Sequence, residues 1–358
     1  MADGGVMFTQ ELAEAIEWQA QHAEENGAPC IARLVRAIPH VAAGETATGR
    51  RIASWEGLTL KDAMPLRFTG GLHNLVLTGT DQRLERVYAG QITDQSSVDR
   101  LVVELVETYD ARLLPWLDGP PQTNEAGRSA SIMAGLLWLS GKVGPRFEMN
   151  ELGASAGVNT MMDRYHYHLG GVEVGPDGSP MQIAPEWRGA APPRNPVEIV
   201  AIRGCDQTLI DLSDNDAAMR LKSYVWPEAS ARMARIDAAI ALASENPPHV
   251  VQQDAADFVE DFLSHDHPDG VTRTMFHSIM WQYMPEATQG SITDAFETAA
   301  AQATADKPFA WIALETDPET FRHELKVRYW NGSAEDGATH LLSFAHPHGA
   351  WVEWLGSD

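Results

Sequence analysis

Cysteine is nearly absent from this chain: Cys30 and Cys205 are the only two in 358 residues. Two thiols make neither a disulfide framework nor a zinc pattern. Basic residues are scarce as well. Lys and Arg number 26 against 50 Asp and Glu, and the formal net charge is −24. So acidic a body repels phosphate backbones and anionic lipid. No Lys/Arg run supplies the footprint of a nucleic-acid binder. Long apolar runs able to cross a bilayer are missing too, and residues 1–10 lack the basic-then-apolar layout of a signal peptide. These absences lead to the expectation of a cytoplasmic protein that acts on a small molecule, without a nucleic-acid or membrane partner.

What is present is material for a core. Hydrophobic residues make up 44% and charged residues 21%, a globular profile. The length exceeds one ordinary core, so two domains are expected, at 1–118 and 119–358. Residues 9–117 read as helical, with 11–25 rich in Ala, Glu and Gln. Apolar residues recur at helical spacing at Ile31, Leu34, Val35 and Ile38, at Leu72, Leu75 and Val76, and at Leu101, Val102, Leu105 and Val106. Residues 42–53 read as a loop. Asp118-Gly-Pro-Pro121 breaks the chain, and a further helix is expected from Thr123 or Asn124 to Gly141.

The character then changes. Strand-length apolar runs alternate with helical patterns, which signals a parallel sheet with crossover helices. Seven strands are expected, at 146–152, 197–203, 249–252, 274–280, 309–314, 323–329 and 340–345. Helices are expected at 158–168, 213–243, 255–263 and 286–303. Asn331-Gly332 joins the last two strands as an antiparallel hairpin. The predicted class is therefore α/β: a Rossmann-like seven-stranded sheet, five strands parallel plus the hairpin, behind an all-helical N-terminal domain. A small insertion near 170–190 reads as a β-ribbon.

One segment carries chemistry. Glu151-Leu-Gly-Ala-Ser-Ala-Gly157 follows the first strand and precedes an expected helix. Gly153 and Gly157 allow a tight turn and close backbone approach to a ligand, and a helix N-terminus offers free N–H groups. Dinucleotide sites use G-x-G-x-x-G, which is missing, and Glu151 would repel a pyrophosphate. S-adenosylmethionine carries no phosphate, and its ammonium and sulfonium suit an acidic strand end. The same residues also spell Gly-x-Ser-x-Gly, the nucleophile elbow of α/β-hydrolases, with Ser155 as nucleophile and acids (Asp254, Asp257) and histidines (His346, His348) downstream. Against this serine-esterase alternative, the motif follows the first strand and no HGGG-type segment lies upstream.

Several longer blocks stand out: Gln122-Thr-Asn-Glu-Ala-Gly-Arg128, Glu151 to Asn159, Arg203-Gly-Cys-Asp206, Val225-Trp-Pro227, Phe276-His-Ser-Ile-Met-Trp-Gln-Tyr283 and Ala345-His-Pro-His-Gly-Ala-Trp-Val-Glu-Trp354. They resemble the signature blocks of a bacterial family known only as a domain of unknown function, and the resemblance covers nearly the whole chain. The second domain separately resembles a class I methyltransferase. That resemblance implies that Glu151 and Gly153 hold the methionine part of the cofactor, that Asp206 binds the ribose hydroxyls, and that Asp254 lies beside the adenine. Ser155 stands where that family has a middle glycine.

Each candidate also has a plainer role. Glu151 suits a helix cap or an ion pair. Asp206 and Asp254 suit a turn and a cap. His277, late in the fourth strand, could serve as a general base with Tyr283 nearby, or be a buried histidine bonded to backbone. Asn124 and Arg128 could clamp a substrate carboxylate, or form a cap and an interdomain ion pair. His346 and His348 lack a third ligand of matching spacing, so no metal is expected and a structural or substrate-side role is assigned. A non-catalytic nucleotide-binding or scaffold protein is the third reading, since fold does not fix function.

Overall fold

The computed structural model describes residues 10–56, 62–119, 121 and 123–356. The segment read for a signal peptide lies, up to Thr9, outside the described residues, as do Pro120 of the breaker and Gln122 of the first block.

Helices come first: α1 (Gln10–Glu25), α2 (Pro29–Arg36), α3 (Ile38–Ala42), α4 (Ala47–Ala53), α5 (Met64–Leu77), α6 (Glu85–Tyr88) and α7 (Gln95–Leu113). Prolines sit in the first turns of α2, α3 and α5, where a missing N–H costs nothing. Asp94 caps α7 by accepting from the Ser97 N–H. The expected loop at 42–53 is corrected: Ala42 ends α3 and Ala47 to Ala53 are α4. Thr46 caps that helix, and the Asp110 carboxylate accepts from the Ala47 and Thr48 N–H groups at 2.7 and 2.8 Å. Its short sequence shows no apolar period, so end-capping from a distant residue decides it.

Next come α8 (Ser129–Val143), β1 (Arg146–Leu152), β2 (His166–Leu169), β3 (Val172–Val174), β4 (Gln182–Ile183), β5 (Glu186–Gly189) and β6 (Glu198–Asp206). They are followed by α9 (Asn215–Ser223), α10 (Ser230–Glu245), β7 (Val250–Gln252), α11 (Ala255–Ser264), β8 (Thr272–Ser278), α12 (Glu286–Ala300), β9 (Phe309–Thr316), β10 (His323–Trp330), β11 (His340–Ala345) and β12 (Trp351–Trp354). Three expectations change. Residues 158–168 form a 3-10 turn, Asn159–Arg164, that runs into β2. Tyr165, Tyr167 and Leu169 are buried at alternate positions, a strand period misread as helical. The long helix at 213–243 is split into α9 and α10 around Val225-Trp-Pro227, where proline removes a donor. The α8 helix starts at Ser129 behind a 3-10 turn, Ala126–Arg128, and not at Thr123 or Asn124.

Among the described residues the main sheet has nine strands, in the order β5-β12-β11-β10-β9-β8-β1-β6-β7. Each of the seven expected segments contributes a strand, and β5 and β12 extend one edge. From β7 to β9 the neighbours are parallel; β9 to β12 alternate antiparallel. The expected insertion supplies β3 and β4, which join β2 in a separate three-stranded sheet, β3-β2-β4, and β5 of the large one. Leu325 of β10 faces α8, approaching Gly135 closely. On the other face Phe258 and Phe262 of α11 and Ile292 and Phe296 of α12 close a core with Leu152, Met275 and Trp311.

The chain divides into two compact units, Met1–Thr123 with Asp214–Ala234, and Asn124–Ser213 with Arg235–Asp358. The stretch 214–234, expected in the second domain, belongs to the helical unit. There Glu228 accepts from the Cys30 and Ile31 N–H groups at 2.6 and 3.2 Å, and the Asn74 amide donates to Ser223 Oγ at 3.1 Å. Among the described residues no helix is long and apolar enough to cross a membrane.

Candidate functional site

From β1 the sheet grows to β6 and β7 on one side, then to β8 and β9 on the other. The reversal parts the loops that follow β1 and β8, which is where ligands sit in open α/β sheets. A cleft of about 320 Å³ opens there. Gly153 lines it after β1, Cys205, Asp206 and Gln207 at the end of β6, Gln253 and Asp254 after β7, and Met280, Tyr283 and Met284 after β8. Four expected residues, Gly153, Asp206, Asp254 and Tyr283, are thus brought together. No Lys, Arg or His is among the described residues that line it.

The turn 153–157 is shaped by its backbone. Gly153 has φ +68°, and a Cβ there would stand 2.8 Å from Met280 Cε. Only glycine lets Met280 lie on the turn. Ser155 keeps φ +54°, left-handed for a residue with a side chain. Its N–H donates to Asp206 Oδ2 at 2.9 Å, while Asp206 Oδ1 accepts from the Thr208 N–H at 2.9 Å. Asp206 therefore joins the turn to the β6 loop, and a carboxylate with four lone-pair sites keeps acceptor capacity for a ligand. Asp254 caps α11 through the Ala256 N–H at 2.9 Å and accepts from the Gln207 amide at 3.1 Å. Its plainer role is real, and it lines the cleft as well.

Other expected residues lie elsewhere. Gly157 is not in the cleft wall; it packs against Pro248 and Val250, where a Cβ would come within 2.7 Å of either. Glu151 is 1% exposed, so it is not at the mouth. Its Oε1 accepts from the Asn159 amide at 3.2 Å, and its Oε2 has no partner among the described residues. Burial pushes the carboxyl up to about 8, against the pull of Asn159 and the Arg128 charge. Ser155 Oγ is likewise buried without a partner among the described residues, so the geometry shows no base on the elbow serine.

His277 turns to the other side of the β8 loop. The Trp311 indole N–H, which can only donate, reaches its Nε2 at 2.9 Å. Nδ1 therefore carries the proton and donates to Glu315 Oε1 at 2.7 Å. Glu315 also accepts from the Met280 and Trp281 N–H groups at 3.1 and 3.3 Å. With both ring nitrogens engaged, His277 is corrected from general base to a holder of the loop that carries Met280. Ile279 in that loop has φ +50°, a strained value for a β-branched residue. Glu315 was missed because 309–314 was read as the whole strand; only the register against β8 brings it to His277.

Arg128, His346 and His348 lie together away from the cleft wall, and Asn124 holds the end of the 153–157 turn. Asn124 Oδ1 accepts from the Val158 N–H at 2.9 Å. Arg128 donates to the Pro347 and Ser278 carbonyls at 2.9 and 3.1 Å, which replaces the expected carboxylate clamp. The His348 N–H donates to His346 Nδ1 at 3.1 Å, closing the His-Pro-His turn. Arg235 joins Glu125 and the His348 carbonyl at 2.9 and 3.0 Å. Gly349 lies so close to Gly127 that a Cβ on it would stand 2.4 Å from the Gly127 backbone. Among the described residues no three His, Cys, Asp or Glu side chains gather as a metal site.

Four of the blocks singled out by sequence thus meet in pairs: Gly127 and Arg128 pack on 347–349, and Ser155 meets Asp206. A family described as "Uncharacterized protein conserved in bacteria (DUF2332)" matches residues 13–354. No curated protein and no solved structure matches. With nearly its whole length covered, the chain belongs to this uncharacterized bacterial family.

Proposed function

We propose that the cleft binds S-adenosylmethionine and that the second unit, read as a Rossmann-like domain, transfers its methyl group to a small molecule. The observation that carries this reading is the pair of acids, Asp206 and Asp254, at the ends of consecutive strands, lining with Gly153 a cleft that has no basic residue among its described lining. Such a lining disfavours phosphate and accommodates a ligand with hydroxyls and a positive sulfur. Asp206 would take the ribose hydroxyls with its remaining lone pairs. Asp254 and Gln207 would face the base. Met280 and Met284 give soft, polarizable walls, and Tyr283, 75% exposed, stands where an acceptor enters. The cofactor supplies an activated methyl; the protein's part is to hold donor and acceptor in line and exclude water. Glu151, buried away from the cleft wall, holds the turn through Asn159.

The test is calorimetric titration of the whole protein with S-adenosylmethionine and S-adenosylhomocysteine, alongside Asp206→Asn and Asp254→Ala. Micromolar binding, weakened tenfold or more by either substitution, is expected. Well-folded protein that takes up neither compound sinks the reading. The left-handed backbone at Ser155 suits a nucleophile elbow, and fluorophosphonate labelling lost in Ser155→Ala would carry that reading instead.

A further inference from the structure

The loop after β8 has two sides. Met280 and Tyr283 look into the cleft; Trp281 lines a second cavity of about 310 Å³. Strand register explains its walls. Ala313 of β9 pairs with His277 of β8 and with Lys326 of β10, and Trp311 pairs with Arg328. Side chains alternate across a sheet, so His277, Trp311, Glu315, Lys326 and Arg328 share one face. Trp281, partly exposed, stacks on His277 at 4.8 Å and 20° and leans toward Trp311 at 5.4 Å and 59°.

The two cavities differ in charge. The cleft is lined by two acids and no cation; this one is lined by Lys326, Arg328 and a single carboxylate, in a chain of net charge −24. That carboxylate, Glu315, is spent on His277 and two backbone N–H groups. Lys326 contacts Glu324 at 2.7 Å and Asp317 at 3.6 Å, yet its side chain stays 42% exposed. Arg328 meets Glu297 at 2.7 Å and lies over Trp311 and Trp330 at 5.7 and 4.8 Å. The aromatic faces thus already have their cation in Arg328, which is paired with Glu297; Lys326 is paired with Glu324, and its ammonium, with three donors, keeps capacity for a guest. A flat ring fits the indole walls, and an anionic group on it finds the remaining donors of the half-exposed Lys326.

We propose that this cavity is a second ligand site, for a planar aromatic carboxylate whose ring lies against Trp281 and Trp311 and whose carboxylate reaches Lys326. The proposal does not rest on the identity of the cleft's ligand. Because Trp281 and Met280 are consecutive and both donate to Glu315, a guest on one side bears on the wall of the other.

The probe is 1-naphthoate, with the neutral alcohol 1-naphthalenemethanol as control, titrated into the full chain by calorimetry without any cofactor. Saturable one-site binding, at least tenfold tighter than the alcohol, is expected. Trp281→Ala and Lys326→Met should each weaken it tenfold or more, and Asp254→Ala should leave it unchanged. Lys326 is exposed enough to be replaced without loss of folding, which circular dichroism of the variant would check. Absence of saturable binding, equal affinity for the alcohol, or affinity unmoved in folded Lys326→Met overturns the proposal. None of these outcomes touches the S-adenosylmethionine titration, so the two readings fail separately.

Discussion

Glu315 accepts the Nδ1 proton of His277 at 2.7 Å, and the same carboxylate gathers the N–H groups of Met280 and Trp281. One side chain on β9 thereby fixes the loop that follows β8. Glu315→Gln replaces one accepting oxygen by a donor that faces other donors. A loss of about 1–3 kcal/mol is expected, the cost of leaving buried partners unsatisfied. Urea unfolding would measure it, and cleft ligands should weaken in parallel. Unchanged stability would mean that the loop is held by other contacts.

Glu151 gives a pH dependence of definite sign. Its carboxyl is raised from 4.5 to about 8 in the fold. The folded state therefore holds this proton more tightly than the unfolded chain does, and the stabilisation is full at low pH. It is lost as pH rises from about 4.5 through about 8. Each tenfold gain in proton affinity is worth about 1.4 kcal/mol, so the total is on the order of a few kcal/mol. Glu151→Gln should flatten the fall in melting temperature between pH 5 and pH 9. Parallel curves for the two proteins would refute the assignment.

Two glycines test whether tight packing or backbone angle matters more. Gly27 has φ +77° with nothing near its absent side chain, whereas Gly349 has φ +68° and the Gly127 backbone 2.4 Å from where a Cβ would stand. Gly27→Ala should cost about 1–2 kcal/mol, the left-handed penalty alone. Gly349→Ala should cost more, since main chain cannot rotate aside, and chemical denaturation of both variants would show the order. Equal losses would argue that the 345–349 turn can move.

The two thiols should be silent in the folded protein. Burial pushes Cys30 up to about 11 and Cys205 up to about 12, and the thiolate is the reactive form. Iodoacetamide at pH 8 should label neither until denaturant is added, as mass spectrometry would read. Rapid labelling of Cys205, at the cleft, would show that this wall opens.

Much of the sheet is legible in the sequence because β-branched and aromatic runs of strand length stand between turn residues. Asp206 and Asp254 are legible for the same reason: an acid directly after a strand falls at the carboxyl edge of a parallel sheet. What escapes is whatever depends on pairing between distant segments. His277 reads as a base until Trp311 and Glu315 are seen to occupy both its nitrogens. Arg128 reads as a clamp until the Pro347 carbonyl takes it. The 3-10 turn at 159–164 escapes because four consecutive buried residues, Asn159 to Met162, erase the period by which helix and strand are told apart.

The bond from Arg128 to the Pro347 carbonyl spans 219 positions, and 214–234 leaves the second unit to join the first between its two halves. On a ribosome, the entry to α8 would emerge long before the turn that locks it. Closing so long a loop is slow, and the half-made unit would meanwhile show an open sheet edge and uncovered core to the cell. This layout makes synthesis the vulnerable stage of the protein's life, so variants in the 345–349 turn should lower soluble yield before they alter anything the finished molecule does.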